Sequence, residues 1–167
     1  QQHIGALATG RSGQLLRDAL PFVRIMQGQS VVISLCDTVL SDPAQQAQLV
    51  EDIALLFLLG VCPVVVHGMG GMAQRACGQA RSSLVQQLNA AGVKALGLEG
   101  ADANLATLAA SSSALAKQIN VEPELITLLQ QNRMLPVLTA LATDEKGGGH
   151  PFDPAVFAAQ LAQQLKA

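Results

Sequence analysis

The chain has no tryptophan, no tyrosine and only four phenylalanines among its 167 residues. That removes the aromatic platforms on which single-stranded nucleic acids stack. Charge is scarce as well. Lysine, arginine, aspartate and glutamate make up 13% of the residues and the formal net charge is −2, so no basic field exists to hold a phosphate backbone or an anionic membrane. Nucleic-acid binding is set aside on both counts. The three cysteines, Cys36, Cys62 and Cys77, are odd in number and show no close pairing. They argue against a disulfide framework and for a reducing, intracellular compartment. A zinc site from Cys62, His67 and Cys77 would lack a Cys-x-x-Cys pair, and neither a metal nor a cofactor is expected. The longest apolar run, 53–66, is interrupted by Gly60 and Pro63 and is too short to span a bilayer. The chain opens at Gln1 with no signal-peptide core. A removed organelle-targeting segment stays open, and nothing in the sequence separates cytoplasm from mitochondrion or chloroplast.

What is plentiful is hydrophobicity: half of all residues, enough for one domain with a real core. Strand and helix signals alternate. Ser30–Leu35 is a short β-branched run that reads as a buried strand. Asp42-Pro43 supplies an N-cap and a first-turn proline, Leu49, Ile53, Leu56 and Phe57 give one helical face, and Gly60 closes it. Pro63–Val66 is a second strand; Ser82–Ala91 a helix ending at Gly92; Val93–Leu98 a third strand. Glu122-Pro123-Glu124 opens another helix, Leu135–Thr139 is a fourth strand, and Asp153-Pro154 starts a last helix with Val156, Phe157, Leu161 and Leu165 along one side. This order predicts an α/β fold, a three-layer αβα sandwich around a mainly parallel sheet, with its functional turns at the carboxyl ends of the strands. Ahead of the first strand, Leu15, Leu16, Ala19, Leu20 and Val23 make an amphipathic helix, bent or interrupted at Pro21. It is expected to pack on its own domain or on a neighbouring subunit. The segment 103–116 reads as a helix or a surface strand pair, and 146–149 as a flexible tip.

Two turns carry the candidate chemistry. The first strand ends in Ser34-Leu35-Cys36-Asp37 and the second in His67-Gly68-Met69-Gly70-Gly71. Glycines after a strand let backbone N–H groups approach an anion. Gly68 to Ala73 also fits a dinucleotide fingerprint, but the acid expected about twenty residues later is absent, and a plain strand-to-helix connection reads equally well. A nucleophile reading would need Cys36 activated by His67 across adjacent strand ends. His3 and His150 show no partner in the sequence and are expected to be exposed.

These residues resemble the amino-acid kinase family, specifically acetylglutamate kinase and the kinase-like domain of acetylglutamate synthase. Leu16–Val23 resembles the N-terminal helix that links subunits in the hexameric kinases, Gly28–Ile33 the first strand, and 51–56 with 60–68 the following helix and strand. Gly97-Leu98-Glu99-Gly100-Ala101-Asp102 is similar to the family's Gly-Leu-Ser-Gly-Lys-Asp turn, and Pro123–Ile126 and Leu135–Val137 to a later helix and strand. The resemblance implies the carbamate-kinase-like fold of an N-terminal substrate lobe over 29–167, with 1–28 as an oligomerisation arm.

The departures from the family pattern imply lost catalysis. Where the family has Lys-x-Gly-Gly, this chain has Ser34, Cys36 and Asp37, so a neutral side chain replaces the lysine and a carboxylate stands where phosphate would lie. The glycine turn keeps Gly68, Gly70 and Gly71 but carries Met69 in place of a glycine. The family's Asn-Ile-Asn-Ala-Asp motif appears as Pro151-Phe152-Asp153-Pro154-Ala155, with Ala155 at the position of the organising aspartate. The span from His67 to Ser82 is too short for the family's substrate-binding arginine segment, and the chain ends where a nucleotide-binding half would begin. Gly68, Met69, Gly70, Gly71 and Asp153 are thus vestigial substrate-site candidates, and Leu16, Leu20, Phe22 and Val23 partner-binding ones. The expected role is a non-catalytic, kinase-derived module in a larger protein assembly; the alternative is an acetylglutamate-binding fragment of a kinase or synthase of arginine biosynthesis.

Overall fold

The computed structural model of the chain describes residues 11–69, 74–109 and 118–167. Its frame is a four-stranded sheet of β1 (Ser30–Leu35), β2 (Cys62–His67), β3 (Ala95–Leu98) and β6 (Leu135–Thr139), in the order β1-β2-β6-β3 and parallel throughout. A second sheet stacks β4 (Ala106–Leu108), β5 (Ile119–Val121), β7 (Leu141–Thr143) and β8 (Gly149–Pro151) in the order β5-β4-β7-β8. Its strands are three residues each, too short for alternation to announce them, and they account for part of the ambiguous segment after Ala103. Residues 110–117 lie outside those described.

Strand alternation divides the core. Val65, Leu135 and Val137 point to one face and meet Val50, Ile53, Ala54 and Phe57 of α3 (Pro43–Leu58) and Leu84 and Leu88 of α4 (Gln74–Ala90). Val64, Val66 and Leu138 point to the other and meet the second sheet, Ile126 of α5 (Pro123–Gln131) and Phe157, Ala158 and Leu161 of α6 (Pro154–Leu165). Both faces of β2 and β6 are therefore covered, giving the expected αβα layering with a parallel central sheet.

Two Asp-Pro steps start helices as read from the sequence. Asp42 accepts from Ala44 N and Gln45 N at the head of α3, and Asp153 from Ala155 N and Val156 N at the head of α6. Other expectations shift. A five-residue helix, α2 (Asp37–Ser41), follows β1 directly, and α4 starts eight residues before Ser82. The inward face of α3 adds Val50 and Ala54 to the expected Ile53 and Phe57, with Leu49 packed half-buried against them and Leu56 only half-buried, and Val156 of α6 is exposed. The tip at 146–149 is tied down, because Asp144 accepts from Lys146 N and Gly148 N. His150 is half-buried and lies 2.8 Å from Asp144, not alone at the surface.

The first helix, α1 (Arg11–Met26), runs unbroken through Pro21. An exposed helix tolerates that missing hydrogen bond because solvent can meet the orphaned carbonyl. Among its described side chains the apolar face stays largely in solvent: Leu15 is 69% exposed and Leu20 48%, with Val23 half-buried, and Phe22 beside it is 71% exposed. Among the described residues no helix is long and apolar enough to cross a membrane.

The outer edge of the second sheet is closed by side chains. Gln164 of α6 donates from Nε2 to Ile119 O and accepts Val121 N on Oε1, both at 2.8 Å, and Gln160 accepts Ile119 N at 2.9 Å. Two glutamines one helical turn apart thus take the place of a neighbouring strand for β5.

Candidate functional site

Because β1, β2, β6 and β3 are parallel and adjacent, their carboxyl ends form one row. The turns at Cys36, Gly68, Ala140 and Glu99 follow Leu35, His67, Thr139 and Leu98 in that order across the sheet. Such a row is where an open α/β sheet holds its ligands.

At its first end three of the sequence-selected segments meet. A Cβ built on Gly68 would stand 3.1 Å from Pro154 Cδ and 3.6 Å from Asp37 Oδ1. The β1 turn, the glycine turn and the head of α6 are therefore in contact, and the space above Gly68 holds a proline ring and a carboxylate. Ser34 is exposed on β1, and Cys36 sits exposed at the head of α2 with its Sγ 3.0 Å from Thr38 Oγ1. That hydrogen bond, more than any other contact, lowers the Cys36 thiol pKa. Asp153 is engaged with the α6 amides, and Ala155 is exposed in the first turn of that helix. Gly70 and Gly71 lie outside the described residues, as do Met72 and Ala73, so the dinucleotide fingerprint cannot be followed past Met69.

Further along the row lies a polar chain that sequence reasoning missed. Arg81 Nη1 donates to Glu99 Oε1 at 2.8 Å and to Thr139 Oγ1 at 2.6 Å. The Thr139 hydroxyl is 3.3 Å from His67 Nε2, and His67 Nδ1 is 3.1 Å from the Gly68 carbonyl. The Gly68 carbonyl can only accept, so Nδ1–H donates to it; in the neutral ring that burial favours, Nε2 then accepts from the Thr139 hydroxyl, whose oxygen also accepts from Arg81. His67 is then neutral, and its pKa is lowered chiefly by burial. Cys77 Sγ lies 3.7 Å from the same carbonyl and 3.9 Å from Nδ1; burial raises its thiol pKa.

His67 therefore turns to Cys77 and Thr139, not to Cys36, and the Cys36–His67 nucleophile pair is not assembled. Strand register explains it: Leu35 is opposite His67, so Cys36 lies one step beyond. Cys62 sits at the other end of β2 from His67, and no group of three potential metal ligands occurs among the described residues. The signal for Arg81 was present in the sequence. It falls in step with Cys77, Leu84 and Leu88, all buried on one face of α4. Starting that helix at Ser82 hid it.

Beside the row is a cavity of about 280 Å³ lined by Met69, Glu99, Ala101, Leu141, Thr143, Gly147, Gly149 and Pro151. Glu99 is its one charged lining side chain among the described residues.

No family model matches the chain. Two curated relatives are acetylglutamate kinases. That of Albidiferax ferrireducens is 26% identical over 206 residues, covering 98% of this chain and 70% of the relative. That of Paracidovorax citrulli is 27% identical over 205 residues, covering 97% and 69%. Among solved structures, the N-acetylglutamate synthase of Neisseria gonorrhoeae, complexed with coenzyme A and N-acetyl-glutamate, superposes with a TM-score of 0.77 at 20% identity, over 91% of this chain and 43% of the synthase chain. This is an amino-acid-kinase-like chain. It spans less than half of that synthase. The alignment with the first kinase runs over 206 positions, of which 98% of 167 residues fills about 164. About forty positions of the kinase thus face nothing in the kinase-like chain; separately, six residues lie between β2 and α4.

Proposed function

We propose that this kinase-like chain is a non-catalytic module, derived from acetylglutamate kinase, with a structural and partner-binding role in a larger assembly. The observation that carries the reading is the Asp37 carboxylate and the Pro154 ring standing over Gly68. Phosphoryl transfer is catalysed by positioning and by cations that offset developing negative charge. Here the β1 turn offers a serine and an acid, and Arg81, the cation along the strand-end row, is already joined to Glu99. The short β2-to-α4 connection leaves no length for a substrate-binding arginine segment.

The partner-binding half of the reading rests on α1. Leu20 and Phe22 are exposed on it, Val23 is half-buried, and the Leu16 side chain lies outside the described residues. An apolar helical face in solvent is a surface for another chain. Residues 1–28 then act as an arm and 29–167 as the lobe it carries.

The test combines native mass with calorimetric titration of acetylglutamate and ATP. The expected result is an oligomer that dissociates in a Leu20→Glu/Phe22→Ser variant, with no ligand heat. Saturable ATP binding, or transfer of phosphate to acetylglutamate, would overturn it. A second reading, an acetylglutamate-binding fragment of an arginine-biosynthesis kinase or synthase, is favoured by the relatives' names and by the cavity beside Met69. Saturable acetylglutamate heat without ATP heat would select it.

A further inference from the structure

We propose that Glu99 is a tethered carboxylate filling a latent site for a small external carboxylate, with Arg81 as the anchor of that site. The inference deepens the non-catalytic reading above and rests on it.

Arg81 sits on the buried face of α4, where an uncompensated guanidinium would be costly. It reaches the strand ends by crossing Gly97: a Cβ there would stand 2.9 Å from Arg81 Nε and 3.1 Å from its Cδ. The glycine is what lets the side chain through. At the far end Arg81 grips Glu99 and Thr139 with Nη1 alone, so the two-pronged fit of a guanidinium to a carboxylate is left half made among the described residues.

Glu99 is the piece between this cation and solvent. Its side chain is 27% exposed against 16% for Arg81. Glu99 lines the 280 Å³ cavity and Arg81 does not. That volume equals about nine waters of bulk liquid, enough for a compact organic acid. The backbone that carries the carboxylate is fixed by its own turn, since Glu99 N donates to Asp102 Oδ2 at 2.7 Å. An external acid must therefore displace a partner that is covalently attached and already oriented, at a high effective concentration. Removing the Glu99 carboxylate turns the wall of the cavity from acidic to basic.

The experiment titrates glutarate calorimetrically into the full chain and three variants. The wild-type chain is expected to give no saturable heat at millimolar glutarate. Glu99→Ser binds at least about tenfold more tightly than wild type, and Arg81→Met in the Glu99→Ser background abolishes the gain. Glu99→Gln, which keeps the side chain's size, serves if the serine variant does not fold. Folded Glu99→Ser and Glu99→Gln proteins without a gain would overturn the proposal. So would a gain that survives Arg81→Met, or failure of both single variants to fold, which would make the pair purely structural. Wild-type binding of glutarate as tight as the variant's refutes the tether and leaves the non-catalytic reading standing. Wild-type binding of ATP refutes the non-catalytic reading and removes the ground on which the inference rests, an outcome distinct from any of the glutarate results.

Discussion

Replacing Gln164 by alanine tests whether a helix can stand in for a strand. The Gln164 amide serves two backbone groups of β5, Val121 N and Ile119 O, and both residues are buried. A typical intramolecular hydrogen bond contributes about 1 kcal/mol net, and a buried group left without a partner costs about 1–3 kcal/mol. Gln164 itself is exposed, so water can recover part of that loss. Two bonds at the lower end give a destabilisation of about 1–2 kcal/mol for Gln164→Ala. For a domain of this size that lowers Tm by about 3–8 °C. Urea unfolding followed by far-ultraviolet circular dichroism measures it, with Gln163→Ala, an exposed neighbour on the same helix, as the control for lost side-chain packing. Gln164→Glu keeps the acceptor for Val121 N but places a carboxylate oxygen against the Ile119 carbonyl, and should cost at least as much as alanine. If Gln164→Ala and Gln163→Ala melt together, the Gln164 half of the clamp carries no weight and β5 is held by its pairing with β4 and by Gln160.

Three further outcomes follow from the same contacts. Burial holds the folded pKa of His67 below its unfolded value of about 6.5; below that pH the unfolded chain takes up a proton that the folded chain resists. Stability is then full at higher pH and falls as the pH drops through about 6.5; His67→Asn should flatten that limb in chemical denaturation between about pH 7.5 and pH 5, and an unchanged slope would clear His67. Gly97→Ala forces Arg81 off its path and should cost about 1–3 kcal/mol, read as a lower urea midpoint; equal stability would show that the arginine reroutes freely. Asp153→Ala removes the acceptor for Ala155 N and Val156 N and should cost about 1 kcal/mol, with Asp153→Asn near wild type in the same assay.

The parallel frame was legible because its signals are local. Ser30–Leu35 and Leu135–Thr139 are short runs dominated by aliphatic side chains, and both are strands with those bounds. Asp42-Pro43 and Asp153-Pro154 mark helix starts by capping chemistry that needs no tertiary context. The second sheet was not legible, since three-residue strands carry no period. Nor was the first half of α4, where Gln74–Arg81 includes Gly78 and lacks an acid in its first turn. At the site, the meeting of the Asp37 and Gly68 turns follows from the pairing of β1 with β2, whereas Pro154 reaches Gly68 from the head of α6, which follows the second sheet. The Arg81–Glu99 pair needed register: the two residues are 18 apart in sequence and come together because α4 lies on β3 and β6.

The two sheets treat their outer strands differently, and this bears on how the protein behaves in a tube. The β5 margin is closed by glutamines, whereas β1 pairs only with β2 among the described residues, and its sequence Ser30-Val31-Val32-Ile33-Ser34-Leu35 has no charge to repel a newcomer. Concentrated samples should clump through this strand first. A lysine at the exposed Ser34 would act as a gatekeeper, raising the concentration at which the solution turns cloudy without touching the core.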